Sequence, residues 1–209
     1  MSKGQKMDEK LIDKIKRGLI YYEKRIEETD EHYDELGGRY ARYSAGAPYF
    51  YKHLLPFWIH LLGGEGVDCE GFRNEYARIT RKLEALERKI GRDYRERLLD
   101  KLKDDVDFYP VVIYNFGELE PYELEIPNDL LTRTAIEILL MELERDYDLT
   151  DIKQKVSTLD EALKSKYMQN IEEILETYFD AEDPYSPDSF WWNHPLKLLK
   201  EKQTMQSNS

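Results

Sequence analysis

Apolar residues recur along the first part of the chain at alternating spacings of four and three. The series comprises Leu11, Ile15, Leu19, Tyr22, Ile26, Thr29, Tyr33 and Leu36. This spacing places its members along one side of an α-helix. The sequence therefore predicts a long helix from about Asp8 to Leu36, ended by Gly37 and Gly38. Gly18 interrupts it, at a cost of about 1 kcal/mol relative to alanine.

A second apolar series repeats the same rhythm further along the chain. It comprises Phe72, Tyr76, Ile79, Leu83, Leu86 and Ile90. Because the two series have similar lengths, we expect their helices to pack side by side as an antiparallel, coiled-coil-like pair. Beyond Ile90 the spacing becomes four throughout, which moves the apolar stripe around the helix. A bend or break near Gly91 is therefore predicted.

Residues 47–62, between these two helices, form the most apolar stretch of the chain. Four residues interrupt it: Lys52, His53, Pro56 and His60. It is shorter than the about 20 apolar residues of a membrane-spanning helix, so we do not expect it to cross a membrane. Pro56 predicts an irregular turn followed by a short helix. We interpret residues 37–67 as an apolar connector. Its 47–62 stretch is either buried or an exposed tip for a partner or a membrane surface.

The chain changes character over residues 108–126. Residues 111–116 form a short run rich in β-branched and aromatic residues, and residues 122–126 alternate between polar and apolar. This pattern predicts a two-stranded β-ribbon.

Two further helices are expected after the ribbon. One runs from Leu130 to about Tyr147 and is apolar on most sides, which is typical of a buried helix. The other begins at a capping box formed by Thr158 and Glu161.

The overall prediction is a mainly α protein with three regions. Residues 1–107 hold the helical pair and its connector, and residues 108–180 hold a smaller helical part with the β-ribbon. Residues 181–209 form an extended, aromatic-bearing tail that is disordered at its end.

Composition narrows the possible functions. The 209 residues carry a formal net charge of −12, which argues against binding the phosphate backbone of nucleic acids. The single cysteine, Cys69, excludes an intrachain disulfide framework and a cysteine-based zinc site. Charged residues without an apolar segment behind them begin the chain, so a cytoplasmic location is expected.

Two groups of aromatic residues are the candidate partner-binding sites. Phe57 and Trp58 lie in the apolar connector, and Phe190, Trp191 and Trp192 form a block after a proline-punctuated segment. Aromatic residues of this kind are frequent in interface hot spots. In a packed domain the block would instead pack back onto the helices.

The sequence favours a non-catalytic protein that works through protein–protein interaction, as an adaptor or assembly subunit. Its partners would be other proteins or a second copy of itself, with no cofactor and no nucleic acid. Membrane contact is disfavoured by the acidic charge. The alternative is a helical-bundle metal-dependent enzyme that uses His32, His53 or His60 with nearby glutamates.

Overall fold

The computed structural model describes residues 3–33, 46–116, 125–171, 174 and 190–207. Seven α-helices and one short 3-10 turn account for most of them. They are α1 (Lys3–His32), α2 (Ala47–Gly64), α3 (Glu70–Ile90), α4 (Arg92–Asn115), α5 (Glu125–Leu143), α6 (Thr150–Gln169), the turn Trp191–Asn193 and α7 (Pro195–Ser207). The mainly α prediction is confirmed for this part of the chain.

The chain divides into two compact units, Met1–Lys101 and Leu102–Ser209. The first is called unit 1 and the second unit 2. The boundary between the units and the predicted boundary at residue 107 both lie within α4. None of the helices in the described ranges is long and apolar enough to cross a membrane.

Unit 1 contains a bundle in which α1 and α3 run in the same direction. Glu23 of α1 pairs with Arg78 of α3, and Asp30 further along α1 pairs with Lys89 further along α3. The predicted antiparallel pairing of these two helices is therefore wrong. The reason is that the expected connector contains a full helix, α2, which returns the chain to its starting end.

Helix α2 runs antiparallel to α1, since Tyr21 packs on Tyr51 and Lys14 on Trp58, and it continues through Pro56. The predicted turn before Pro56 is therefore absent. A proline inside a helix has no N–H for the carbonyl four residues earlier, which here belongs to Lys52. The hydroxyl of Tyr76, on α3, donates a hydrogen bond of 2.9 Å to that carbonyl oxygen. A contact from a neighbouring helix thus satisfies the group that Pro56 leaves open.

The predicted break at Gly91 is present. Helix α3 ends at Ile90, α4 begins at Arg92, and Gly91 between them has a φ of 71°. This left-handed conformation favours glycine. Beyond the break, Tyr94 packs between Tyr33 and Tyr49, so α4 begins within the core of unit 1.

Tyrosines fill much of the core of unit 1, where Tyr22, Tyr49 and Tyr94 are fully buried. Their hydroxyl groups reach polar partners at the edge of the core, as that of Tyr49 does by donating to Glu87. Burial raises the pKa of Tyr49 well above its ordinary value, so this phenol stays protonated and donates. Tyrosine suits this position because its ring packs while its hydroxyl finds a partner.

The predicted β-ribbon is wrong for the residues that the structure describes. Residues 108–115 belong to α4, residues 125 and 126 open α5, and residues 117–124 lie outside the described ranges. The buried residues Tyr109 and Val112 of α4, and Phe116 directly after it, recur at helical spacing. Burial of this stripe outweighs the β-propensity of the run around it.

The expected capping box is also wrong, because Thr158 lies inside α6. Its hydroxyl donates 3.0 Å to the carbonyl of Gln154, while the helix begins at Thr150. There, Asp148 accepts a hydrogen bond of 3.0 Å from the backbone N–H of Thr150. Residues 195–207 of the expected extended tail are helical. Residues 181–189 lie outside the described ranges.

Candidate functional site

A groove of about 390 Å³ lies between α1 and α2 on unit 1. Helix α1 contributes six of its residues and α2 contributes two. They are Lys10, Asp13, Lys14, Arg17, Gly18, Tyr21, Tyr51 and Trp58. We call it the Trp58 groove. It contains one of the predicted partner-binding residues.

Gly18 allows Trp58 to lie close against α1. A Cβ atom at position 18 would lie 2.9 Å from Leu55 Cδ2 and 3.0 Å from Trp58 Cζ3. Any side chain here would therefore push the indole ring and Leu55 away from the helix. The glycine that weakens α1 by propensity is thus the one that lets α2 approach it.

The groove is locally cationic in an acidic protein. Its lining holds Lys10, Lys14 and Arg17 against the single acid Asp13, whereas the chain carries a net charge of −12. Asp13 and Arg17 form an ion pair one turn apart. Two positive charges are therefore left over, those of Lys10 and Lys14.

Lys14 contacts the aromatic floor of the groove. Its Nζ atom lies 4.4 Å from the centroid of the Trp58 ring, a cation–π distance. Burial lowers the pKa of Lys14 below its ordinary value, because the ammonium group has lost part of its hydration. An incoming negative charge would compensate this loss.

Aromatic and apolar surface continues beside these charges. Tyr21 stacks on Tyr51 with ring centroids 6.2 Å apart, and Tyr21 remains 45% exposed. Ile20 is 66% exposed and lies seven residues after Asp13, hence on the same side of α1. The groove therefore combines apolar contact area with positive charge.

The structure separates the five predicted partner-binding residues. Trp58 is half-buried and lines the groove. Phe57 is also half-buried but does not line it. Phe190, Trp191 and Trp192 are each at least nine-tenths buried in unit 2.

The sequence prediction missed the cationic residues of α1. The signal that could have found them is their spacing of four, three and four, which runs through Lys10, Lys14 and Arg17 to Tyr21. They form a second stripe on the helix, beside its apolar seam.

A buried polar cluster in unit 2 is the other concentration of functional groups. Asp160 of α6 accepts hydrogen bonds from Arg133 Nε at 2.8 Å and Nη2 at 2.9 Å. The hydroxyl of Tyr109 donates to the same carboxylate at 2.8 Å, and Arg133 Nη1 donates to Glu137 at 2.9 Å. This cluster joins α4, α5 and α6.

Trp192 is attached to the same cluster. The Arg133 guanidinium lies 4.3 Å from the centroid of its ring, and its indole N–H donates 3.0 Å to Thr134 Oγ1. Its backbone carbonyl accepts a hydrogen bond of 2.7 Å from Tyr167. The ring and backbone of this residue are thus both engaged within unit 2.

The protonation states in the cluster suit a structural role. Burial, together with the charge of Asp160, raises the pKa of Tyr109, so the phenol is a donor and not a base. Burial alone would lower the pKa of Arg133, but the hydrogen bonds and charge of Asp160 raise it overall. The guanidinium and carboxylate are thus held as a charged, bidentate pair.

An open groove of about 370 Å³ borders this cluster. Its lining includes two surface ion pairs, Lys153 with Glu144 at 2.8 Å and Lys164 with Glu161 at 3.3 Å. The charges of these four residues are compensated within the lining.

The three histidines of the enzyme alternative do not come together. Tyr21 lies opposite Tyr51, so His32 is at least about 16 Å further along the bundle than His53 at 1.5 Å per residue. His60 is exposed near the other end of α2. Within the described ranges no three His, Cys, Asp or Glu side chains are placed to hold a metal ion.

No protein-family model, curated protein or solved structure showed significant similarity to the chain.

Proposed function

We propose that this chain is a non-catalytic protein-binding module, an adaptor or assembly subunit that recognises its partner through unit 1. The observation that supports it is the Trp58 groove, where a half-buried tryptophan meets lysine and tyrosine side chains on two packed helices. We place its activity in the cytoplasm, where a single free cysteine stays reduced.

The groove has the composition of an interface centre. Tryptophan and tyrosine are enriched among hot spots, where they add contact area with little loss of conformational entropy. Ile20 extends the exposed apolar surface next to Tyr21. Helices α1 and α2 position these residues before binding, which reduces the entropy cost of association.

Self-association remains one form of this proposal. The seam residues Ile15, Tyr22 and Ile26 of α1 are at most 4% exposed within unit 1, so they are not free to form a dimer seam. A second copy would have to use an outer surface, such as the Trp58 groove.

Affinity capture from the native host identifies partners of the intact chain, and the key variant Ile20→Asp then tests the proposal. Partners found by crosslinking to the intact chain should be purified and titrated with the wild type, Ile20→Asp and Trp58→Ala. Leu196→Asp is the matched control, since Leu196 is 48% exposed on α7. Circular dichroism confirms that each variant is folded.

We expect Ile20→Asp and Trp58→Ala to weaken the partner about tenfold or more, which corresponds to 1.4 kcal/mol, and Leu196→Asp to leave it unchanged. A partner that binds folded Ile20→Asp and Trp58→Ala as tightly as the wild type would refute the use of this surface.

A further inference from the structure

We propose that the Trp58 groove binds an acidic segment of its partner protein, with carboxylates against Lys10 and Lys14 and an apolar side chain against Trp58. This inference rests on the proposed function and adds the chemical class of the bound segment.

The ion pairing of unit 1 sets Lys14 apart. On the surface between α1 and α3, Lys82 bridges Glu23 and Glu27, and Lys89 pairs with Asp30. Among the described residues, Lys14 has an aromatic ring as its contact and no carboxylate within ion-pair distance. The charge of Lys14 is thus left open toward a ligand.

The energetics favour a carboxylate at this position. The ammonium group of Lys14 has already lost part of its hydration beside the ring, as its lowered pKa indicates. Part of the desolvation cost of the ammonium group has therefore been met in the free protein. An incoming carboxylate gains a charge-assisted hydrogen bond at a correspondingly smaller cost.

The apolar part of the ligand follows from the rest of the lining. Trp58 forms the floor, and the stacked pair of Tyr21 and Tyr51 continues the aromatic surface. A volume of about 390 Å³ accommodates a few side chains and not a whole domain. The matching ligand is a short segment that combines acidic residues with an aromatic or leucine side chain.

A protein segment fits this site better than an anionic membrane. The groove lining includes Asp13 as well as its cations, and the whole chain carries a net charge of −12. Repulsion would then oppose the attraction within a Debye length of the surface. A narrow segment contacts only the local positive charge.

Panning a random short-peptide display library on the full-length chain tests the inference. The enriched peptides are then titrated against the wild type, Lys14→Glu and Lys16→Glu. Lys16 is the matched control, because it is an exposed lysine on the same helix that does not line the groove. The same three proteins are tested for co-sedimentation with phosphatidylserine-containing vesicles.

We expect the enriched peptides to be rich in Asp and Glu with an aromatic or leucine residue. Their affinity should fall about tenfold or more with Lys14→Glu, as for loss of a close charge pair, and stay within about twofold with Lys16→Glu. Weaker binding at higher salt should accompany this pattern.

Three results would overturn the inference. Peptides that require Ile20 and Trp58 but carry no excess of acids would refute the acidic specificity while leaving the proposed function intact. Peptides that bind Lys14→Glu as well as the wild type would move the site elsewhere. Vesicle binding lost with Lys14→Glu, without groove-specific peptides, would replace the protein partner by a membrane and count against the proposed function too.

Discussion

The hydrogen bond from Tyr76 to the Lys52 carbonyl predicts a specific coupling between Tyr76 and Pro56. Tyr76→Phe removes the hydroxyl that donates at 2.9 Å but keeps the ring that packs on Tyr22. The carbonyl is then left without the donor that replaces the proline N–H. A part-buried acceptor that loses its partner costs about 1–3 kcal/mol, so we expect a loss near the lower end, about 1–1.5 kcal/mol.

The same change should cost less when Pro56→Ala is already present. Alanine supplies the backbone N–H that Pro56 lacks, so the Lys52 carbonyl gains an intrahelical donor. We expect a coupling free energy of about 1 kcal/mol in the double-mutant cycle. Tyr22→Phe is the control, because its hydroxyl bonds to Thr80 at 3.4 Å and should add to Pro56→Ala without coupling.

Hydrogen exchange by mass spectrometry, read on peptides of α2 and α3, gives the free energy of opening of unit 1 for each variant. This measurement avoids assigning a single unfolding transition to a chain of two units. If the two changes add within about 0.3 kcal/mol, Tyr76 does not compensate Pro56, and the explanation for the unbroken helix fails.

Two other predictions concern unit 1. Gly18→Ala should lower its stability by about 1 kcal/mol, because overpacking against α2, with Cβ 2.9 Å from a leucine methyl, outweighs the gain in helix propensity. Gly71→Ala, with no neighbour within 4 Å, should not lower it, and hydrogen exchange on peptides of unit 1 compares the two. Bonds to Lys82 and Arg78 lower the pKa of Glu23 below its ordinary value, so its stabilising contribution is present above that value and lost as the pH falls through the folded pKa. The stability of unit 1 should fall as the pH decreases through the acidic range, and Glu23→Gln should make that fall smaller.

The seams of α1 and α3 and the break at Gly91 could be predicted from the sequence because their signals are local. Apolar spacing of three and four depends only on helix geometry. The change of spacing beyond Ile90 indicates that one straight helix cannot keep the stripe on one side. Neither inference requires knowledge of a distant contact.

The direction of α3 could not be predicted in the same way, because it depends on whether residues 47–62 form a connector or a helix. On local grounds, Pro56 predicts a turn within this stretch. The group that permits a helix is the Tyr76 hydroxyl, twenty-four residues from the Lys52 carbonyl it satisfies. A contact between helices thus permits a helix that the backbone chemistry of Pro56 alone would exclude.

The candidate site shows the same division between local and distant information. Residue type alone makes Trp58 a candidate, and the spacing from Lys10 to Tyr21 indicates the cationic stripe. Helix propensity alone shows only the cost of Gly18 in α1. Its role in admitting Leu55 and Trp58 depends on the position of α2.

Residue type alone does not distinguish Trp58 from Trp192, although both are predicted partner-binding residues. The two residues differ in the contacts of the cation that lies over each ring. Arg133, stacked on Trp192, is neutralised by Asp160 through two hydrogen bonds, so that charge is used within unit 2. Lys14, stacked on Trp58, has no such acid among the described residues. A partly desolvated cation on an accessible aromatic ring would be stabilised further by a carboxylate from outside, and this difference is why we propose a binding surface on unit 1.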